Sequence, residues 1–444
     1  MIDPTENNGE MVNSSKSKLS AEEIEEFKER EDEAEDCWDL AELAIEIAES
    51  GDKIWARKLF KSAEDRAEAS NEFCYIARSV LDKKYLGDRE WARSIYKQAL
   101  DKSEDSGDLV DIARNVASDK GLSDREWARS IYKQALDKSE DIRDLIDIAQ
   151  NVAPDEGLGD REWARSLLKQ ALDKSEQIYD LIRIAEYIAD SDGIGDRDWA
   201  QGVYKMASDK AEDIRHFIGI AESLMQEKHL GDKNWGWAIY QQALDKAQTA
   251  EDFVNIARSV LDPDYLCDEE RARDIYQQAL DKRQDAISLR IIADSVSNDF
   301  ADFTLFDKEW GRSIYKQALD LSTDLFDLLS IISSIENELG DKEWAKDLYR
   351  RALKLATDEL DYKKIFDAIL SHNYVDDKSW AREIFTRAID LTEDADVLET
   401  IVKSVNDGNY IGDKEWALTI YKQALDKTKG ENDLIKDFLD TLVK

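Results

Sequence analysis

Proline, cysteine and histidine are scarce in this chain of 444 residues, with three of each. The cysteines lie far apart and in no shared motif, which argues against a disulfide framework or a paired-cysteine metal site: Cys37, Cys74 and Cys267. The histidines have no second histidine at ligand spacing, and no glycine-rich phosphate loop is present. The sequence therefore predicts no catalytic residue, no metal site and no cofactor, and we expect a protein that is not an enzyme.

Basic residues are also in short supply, because 61 lysines and arginines face 100 aspartates and glutamates, a net charge of −39. Direct binding to nucleic acid is disfavoured, since phosphate contacts need clustered cations. No apolar run approaches the roughly 20 residues of a membrane span, and the N-terminal residues do not resemble a secretion signal. We expect a cytoplasmic protein without membrane contact.

A repeat of 36 residues dominates what is present. The 18 residues from Asp88 to Asp105 recur unchanged from Asp124 to Asp141. Tryptophan marks each copy, with arginine in one slot, at positions 55, 91, 127, 163, 199, 235, 271 (arginine), 310, 344, 380 and 416. Such a period is the signature of a helical array, and it predicts about eleven units over residues 37–444.

Each unit contains a longer pattern that we name the Trp helix. Its apolar residues recur at steps of three and four, as in Trp91, Ala92, Ile95, Tyr96 and Ala99. An aspartate stands three residues before every Trp slot, where its carboxylate is expected to cap the helix: Asp52, Asp88, Asp124, Asp160, Asp196, Asp232, Asp268, Asp307, Asp341, Asp377 and Asp413. The tryptophans are predicted to pack in the core between repeats.

A second pattern, which we name the short helix, precedes each Trp helix. Leu109, Ile112, Ala113 and Val116 carry its apolar face, and a polar turn follows. One helix pair cannot bury such faces alone, so stacked copies must share a continuous core. The predicted organisation is a disordered tail (1–19), an acidic helix (20–36) with a capping box at Ser20 and Glu23, the repeats (37–430) and a closing helix (431–444).

These spacings resemble the tetratricopeptide repeat. The Ala92, Tyr96, Ala99 triplet matches one helix of that family, and Leu109, Ile112, Ala113 and Val116 match the other. The longer turns are similar to those of Sel-like repeats, and the ARSIY phrase is similar to half-a-TPR repeats. The resemblance covers about nine-tenths of the chain and implies an all-α solenoid. In that family a right-handed superhelix places the first helices along a concave groove, and members generally bind peptides or assemble complexes.

On that model the variable positions of the short helices face the groove. Arginines occupy some of them, at Arg78, Arg114, Arg143, Arg183, Arg215 and Arg258. Apolar residues follow the first large position, at Val110, Ile146, Ile182, Ile218 and Val254. An apolar strip edged by arginine would suit a peptide that carries carboxylates. The alternative is that these arginines only pair with the surrounding aspartates and glutamates.

Residues 261–310 depart from the repeat. Pro263 enters, Arg271 takes the Trp slot, and the turn before Trp310 is three residues longer than its equivalents. Long turns in solenoids often carry binding, and the missing tryptophan could loosen the packing locally. The other interpretation is neutral drift in a tolerant repeat.

The leading functional prediction is a scaffold, adaptor or regulatory subunit that binds a protein or peptide in the groove. A second class is an acidic mimic or chaperone-like inhibitor that covers a basic protein, and the net charge supports it. A third is a subunit of an enzyme encoded elsewhere. The acidic N-terminal helix could also occupy the groove, which would be autoinhibition. The oligomeric state is left open.

Overall fold

A computed structural model describes residues 19–282, 285–298, 304–371, 378–391, 395–406 and 412–427. These residues form α-helices without any strand, as predicted. The first helix is α1, Ala21–Glu33. The short helices are α2 (Cys37–Glu49), α4 (Ser70–Leu81), α6 (Ser106–Ala117), α8 (Ile142–Val152), α10 (Ile178–Ala189), α12 (Ile214–Met225), α14 (Ala250–Leu261), α16 (Ala286–Ser297), α18 (Leu325–Ser334), α20 (Glu359–Ser371) and α22 (Ala395–Asn406).

The Trp helices alternate with the short helices along the chain. They are α3 (Lys53–Arg66), α5 (Arg89–Asp101), α7 (Arg125–Lys138), α9 (Arg161–Lys174), α11 (Arg197–Lys210), α13 (Lys233–Lys246), α15 (Glu269–Asp281), α17 (Lys308–Leu321), α19 (Lys342–Leu355), α21 (Lys378–Leu391) and α23 (Lys414–Lys427). Most short helices pack chiefly on the Trp helix that follows, as α6 does on α7 and α16 on α17. The predicted helix-turn-helix repeat is therefore confirmed.

The chain divides into two compact units, where the sequence predicted one continuous array. The first contains α1 to α11 and residues 227–231, and the second contains α12 to α23. Within each unit, helix pairs stack in series, which is the α-solenoid arrangement. The superhelical hand and the groove stay predictions, as do the boundaries at 37 and 430. The predicted tail and closing helix lie outside the described residues, except for Leu19.

The aspartate caps are confirmed wherever they are described. In each case the side chain accepts the backbone N–H of the residue in the Trp slot, at 2.9 to 3.0 Å, from Asp52 through Asp341 and again at Asp413. Asp377 lies outside the described residues. One such cap contributes about 0.5–2 kcal/mol to stability.

The core follows the predicted apolar positions. Ala92, Ile95, Tyr96 and Ala99 of α5 are fully buried, as are their counterparts in α7. Ile112 of α6 is likewise fully buried, in line with its place on the short helix's apolar face. Fully burying each large apolar side chain contributes about 1.5–3 kcal/mol, and repetition makes this core continuous within a unit.

The tryptophans lie at the edge of the core rather than inside it, which corrects the prediction. Most are half-buried, and only Trp380 is buried. In most repeats an arginine stands two residues after the Trp slot of the preceding repeat. Its guanidinium lies over the next indole, at 4.5 Å from Arg93 to the Trp127 ring, and pairs with the next capping aspartate, at 2.6 Å from Arg93 to Asp124.

We name this arrangement the Arg–Asp–Trp clamp. It recurs with ion-pair distances of 2.5 to 2.8 Å at Arg57–Asp88, Arg93–Asp124, Arg129–Asp160, Arg165–Asp196, Arg273–Asp307 and Arg312–Asp341, and with a further pair at Arg382–Asp413. The aspartate therefore caps its own helix and holds the previous repeat at the same time. Arginine stacked on indole contributes about 0.5–1 kcal/mol at an exposed site.

Among the described residues, the one before the aspartate cap of a Trp helix has a left-handed backbone. Gly87, Gly159, Gly195 and Gly231 have φ between 63° and 72°. Ser123, Cys267 and Phe306 take the same conformation with φ of 48°, 54° and 50°. This conformation turns the chain from the polar linker into the next Trp helix, and residues with a Cβ adopt it at a cost.

Helix α1 stacks on the first repeat in the manner of a preceding Trp helix. Glu31 accepts the indole N–H of Trp55 at 2.8 Å, as Glu64 of α3 does for Trp91. Phe27 packs edge-on against the Trp55 ring at 6.2 Å. The predicted capping box of Ser20 is present. Helix α1 thus covers an end of the array that would otherwise be exposed.

Candidate functional site on the short helices

The predicted apolar strip is not exposed, which is a correction. Val110, Ile146, Ile182 and Val254 are buried, each with at most 7% of its surface accessible, and Ile218 is half-buried. The cause is the packing of neighbouring short helices within a unit, as α6 packs against α8 and α12 against α14. The position after the first large residue therefore faces a neighbouring repeat instead of solvent.

Four of the six predicted arginines lie beside an aspartate of a short helix or its cap. The N–O distances are 2.9 Å for Arg114–Asp111, 3.8 Å for Arg143–Asp141, 2.5 Å for Arg183–Asp147 and 2.8 Å for Arg215–Asp213. Arg258 donates to Ser295 Oγ at 3.1 Å. The pairing interpretation thus describes most of the set, while a role in binding stays a prediction for all six.

A cavity of about 730 Å³ opens on the short helices of the second unit. Its volume lies within the range of ligand sites in proteins. Three successive short helices and the turn after α18 line it, and the main lining residues are Arg290, Asp294, Phe326, Ser330, Ser333 and Lys364. We name it the short-helix pocket. Phe326 is 68% exposed at its rim, an unusual place for a large aromatic side chain.

A network of polar side chains forms one wall of the pocket. Arg290 Nη1 lies 2.7 Å from Asp294 Oδ2, and it also donates to Ser334 Oγ at 3.3 Å. The hydroxyl of Tyr315 donates to the other oxygen of Asp294 at 2.6 Å. Burial raises the pKa of the Asp294 carboxyl, and it raises that of Tyr315 as well. The Nε of Arg290 is buried without a hydrogen-bond partner among the described residues.

Related polar contacts connect two further repeats of the second unit. The Ser259 hydroxyl lies 2.5 Å from both Tyr240 and Glu222, and Ser295 lies 2.7 Å from Tyr276. Burial raises the pKa of Glu222. We did not predict these residues, although a signal existed: a serine stands 19 residues after the core tyrosine at Ser223, Ser259, Ser295 and Ser334. In the first unit the same repeat position holds Ser79, Asn115, Asn151 and Tyr187.

A π-helical turn, Ile335–Leu339, extends α18 and borders the pocket through Asn337 and Glu338. It ends at Gly340, whose φ is 70°. The step from Trp310 to Trp344 is two residues shorter than the usual 36, and the wider helical turn replaces the usual polar linker. π-Helical segments are rare and occur frequently at functional sites.

In residues 261–310, where the sequence predicted loosened packing, a cation–aromatic contact is present at the position of the missing tryptophan. Arg271 lies over the ring of Trp237 at 4.3 Å, so the aromatic and the cation have exchanged places between adjacent repeats. The prediction missed Trp237, which stands where other repeats have the clamp arginine. Part of the long turn, residues 299–303, lies outside the described residues. A binding role for that turn stays a prediction.

Comparison with known proteins gives a weak structural similarity. No family model matches the chain, and no curated protein matches it. A solved structure of c5321, a protective antigen present in uropathogenic Escherichia coli strains that displays an SLR fold, aligns over 94% of this chain and 93% of that one. The identity is 12% and the TM-score 0.26. The described helix pairs, packed in series, decide the class. The chain is a helical repeat protein.

Two further observations concern the described part of this repeat protein. It contains no group of three or more histidine, cysteine, aspartate or glutamate side chains arranged to hold a metal ion. None of its helices is both long and apolar enough to cross a bilayer.

Proposed function

We propose that this helical repeat protein is a non-enzymatic interaction module, and that the short-helix pocket is where it binds a segment of a partner protein. The observation that carries the proposal is the cavity of about 730 Å³ across α16, α18 and α20, with Phe326 exposed at its rim. A segment with an apolar side chain for Phe326 and polar groups for Ser330 and Ser333 would complement it.

The division of labour within each repeat supports this proposal. Caps, core positions and clamps use the constant residues of the Trp helices, as in α5 and α7. The constant residues therefore build the array, whereas exposed positions of the short helices differ between copies, as at Asp111 and Asn255. A specific interaction surface needs residues that differ from one repeat to the next, because a few anchor residues provide most of the binding energy.

A capture experiment tests the proposal. The purified full chain serves as bait for native extract in three forms: wild type, Ser330→Trp and Ser130→Trp. Tryptophan at position 330 fills the pocket, whereas Ser130 is exposed on the constant helix α7. We expect a protein that wild type and Ser130→Trp both capture to be lost with Ser330→Trp. Identical captures by all three forms would refute the pocket as the binding site.

The predicted arginines are tested in the same way. Reversing the charge of Arg114 and Arg183 removes their pairs with Asp111 and Asp147 and places like charges together. If the first unit also contacts the partner through these arginines, capture weakens in this double variant as well. Unchanged capture would remove Arg114 and Arg183 from the proposed site.

The net charge of −39 favours one alternative, an acidic protein that covers a basic partner through its surface. The two proposals differ in their response to salt, because exposed charges are screened within about 10 Å at 0.1 M ionic strength. Covering a basic surface should weaken steeply between low and high salt. Binding in the pocket should persist, since it depends on buried contacts.

A further inference from the structure

The residue at the C-terminal end of the Trp helix changes from basic to apolar inside the second unit. The residue eleven positions after the Trp slot is basic in seven consecutive repeats: Arg66, Lys102, Lys138, Lys174, Lys210, Lys246 and Lys282. In the next three repeats it is leucine, at Leu321, Leu355 and Leu391. We name these three residues the leucine edge. They are 48%, 37% and 55% exposed.

The basic residues at this position have a structural task. Lys138 Nζ donates to the backbone carbonyl of Ser103 at 3.0 Å, and Lys282 Nζ donates to that of Ala247 at 2.8 Å. Each thereby ties its helix to the turn of the preceding repeat and satisfies a free carbonyl. Loss of the cation should leave such carbonyls without that donor.

The structure compensates for this loss beside Leu355. Arg351 of the same helix donates to the carbonyl of Leu319 at 3.2 Å and reaches the carbonyl of Ser322 at 3.4 Å. Arg351 therefore supplies the hydrogen bonds to this turn, and the side chain at position 355 is not needed as their donor. Three exposed leucines recur at one repeat position, and beside Leu355 another residue has taken over the lost hydrogen bonds. This pattern indicates an interaction surface rather than apolar residues scattered singly over the protein.

We propose that the leucine edge binds a cationic amphipathic helix of a partner protein. Equivalent helices of neighbouring repeats pack about 10 Å apart, which matches the roughly 10.5 Å between residues i and i+7 of a helix. A partner helix with an apolar residue every seventh position can therefore meet all three leucines. Four exposed aspartates and one exposed lysine, Lys354, stand beside the edge in sequence. The acidic excess favours a basic helix, and the aspartates are Asp320, Asp324, Asp358 and Asp390.

Charge selects this occupant over two others. A second copy of the chain carries the same net charge of −39 and would be repelled. The chain's own residues 431–444 carry four acidic and two basic side chains, so they also have the wrong sign. A basic helix gains from the aspartates as well as from the leucines.

The test uses a labelled synthetic peptide of about 21 residues, or three heptads, with leucine at every seventh position and lysines on the flanks. Fluorescence anisotropy measures its binding to the full chain. The test variant is Leu321→Gln/Leu355→Gln/Leu391→Gln, which leaves the net charge unchanged. The matched control is Ile54→Gln/Tyr179→Gln/Met206→Gln, because these three residues are also exposed and apolar but lie in the first unit.

We expect the test variant to bind the peptide about tenfold more weakly than wild type, and the control variant to bind it as wild type does. Equal binding by wild type and the test variant would overturn the proposal. So would equal binding of a peptide with glutamates in place of lysines. A wild-type dimer that the test variant abolishes in sedimentation would instead identify a second copy as the occupant.

The proposal is independent of the short-helix pocket, and its failure can be told apart. Ser330→Trp should leave the affinity for the cationic peptide unchanged, since that residue is not part of the leucine edge. Loss of peptide binding in Ser330→Trp would show that the peptide occupies the pocket, and that result would also overturn the leucine edge as its site.

Discussion

At the scale of the residue, the position before the aspartate cap differs between copies: it is glycine in some repeats and a residue with a side chain in others. Residues 121–130 and 157–166 are identical except that Ser123 stands where Gly159 does. Both have a left-handed backbone, with φ of 48° and 68°. The chain thus contains its own matched pair for measuring what a side chain costs in this conformation.

We predict that Ser123→Gly stabilises the protein by about 1 kcal/mol, because glycine adopts positive φ without the steric cost that serine has. Gly159→Ser should destabilise it by a similar amount. Urea denaturation of both variants measures the change. If the two substitutions shift the midpoint in the same direction, the backbone explanation is wrong.

The exchange between Trp237 and Arg271 gives a second prediction at this scale. Trp237→Arg alone brings two cations together, and Arg271→Trp alone removes the cation from the pair. Each should cost about 1 kcal/mol or less, in line with an exposed cation–aromatic contact. The double variant restores the order of the other clamps and should recover most of the loss. Additive losses in a denaturation series would exclude coupling between the two residues.

At the scale of the element, helix α1 behaves as a terminal cap. Its contacts to Trp55, together with the bidentate pair between Arg30 and Glu46 at 2.6 and 2.8 Å, attach it to the first repeat. The hypothesis that α1 occupies the groove stays a prediction. Under that hypothesis, deletion of residues 1–36 would raise the affinity for a partner.

We predict instead that deletion of residues 1–36 reduces the protection of α2 and α3 against hydrogen exchange and leaves capture of partners unchanged. Exposed ends of a repeat array lose stability because half of their packing partners are missing. A matched variant, Glu31→Ala, removes only the hydrogen bond to Trp55 and should have a smaller effect. Increased capture after deletion would restore autoinhibition.

The helices could be predicted from the sequence almost completely, because each repeats one pattern of caps and apolar positions. Asp88 and Ile95 reveal their roles by recurrence alone. The pocket could not be predicted, since Arg290, Phe326 and Lys364 come together from three repeats and share no motif. Exposure of Val110 and its counterparts was predicted wrongly for a related reason. A short helix packs both on the Trp helix that follows it and on the short helix of the neighbouring repeat. The sequence of a single repeat contains only the first of these two partners.

At the scale of the whole molecule, the clamp aspartates predict how stability changes with acid. The amide of Trp127 and the guanidinium of Arg93 hold the pKa of Asp124 below its ordinary value, and the same causes lower the pKa of Asp88, Asp160, Asp307 and Asp341. An ionised aspartate whose pKa is lowered by folding stabilises the folded state, and this contribution is complete above the unfolded pKa of about 3.9. The contribution is lost as the pH falls through the folded pKa.

We predict that Asp124→Asn, which keeps a capping side chain but cannot titrate, narrows its stability gap to wild type as pH falls from about 5 to below 4. Comparing the two proteins at equal pH cancels the general relief of repulsion on acidification. Asp294 and Glu222 act in the opposite direction, because burial raises their pKa, but they are common to both proteins. Thermal denaturation across this range provides the measurement, and a gap independent of pH would contradict the assignment.

We propose that constant residues build this array and that the exposed side of the short helices in the second unit binds the partner. Hydrogen–deuterium exchange of the full chain, alone and with a captured partner, tests it most directly. We predict new protection on α16, α18 and α20 around the short-helix pocket, and none on the exposed sides of α5 and α7. Protection confined to those constant Trp helices would contradict the claim.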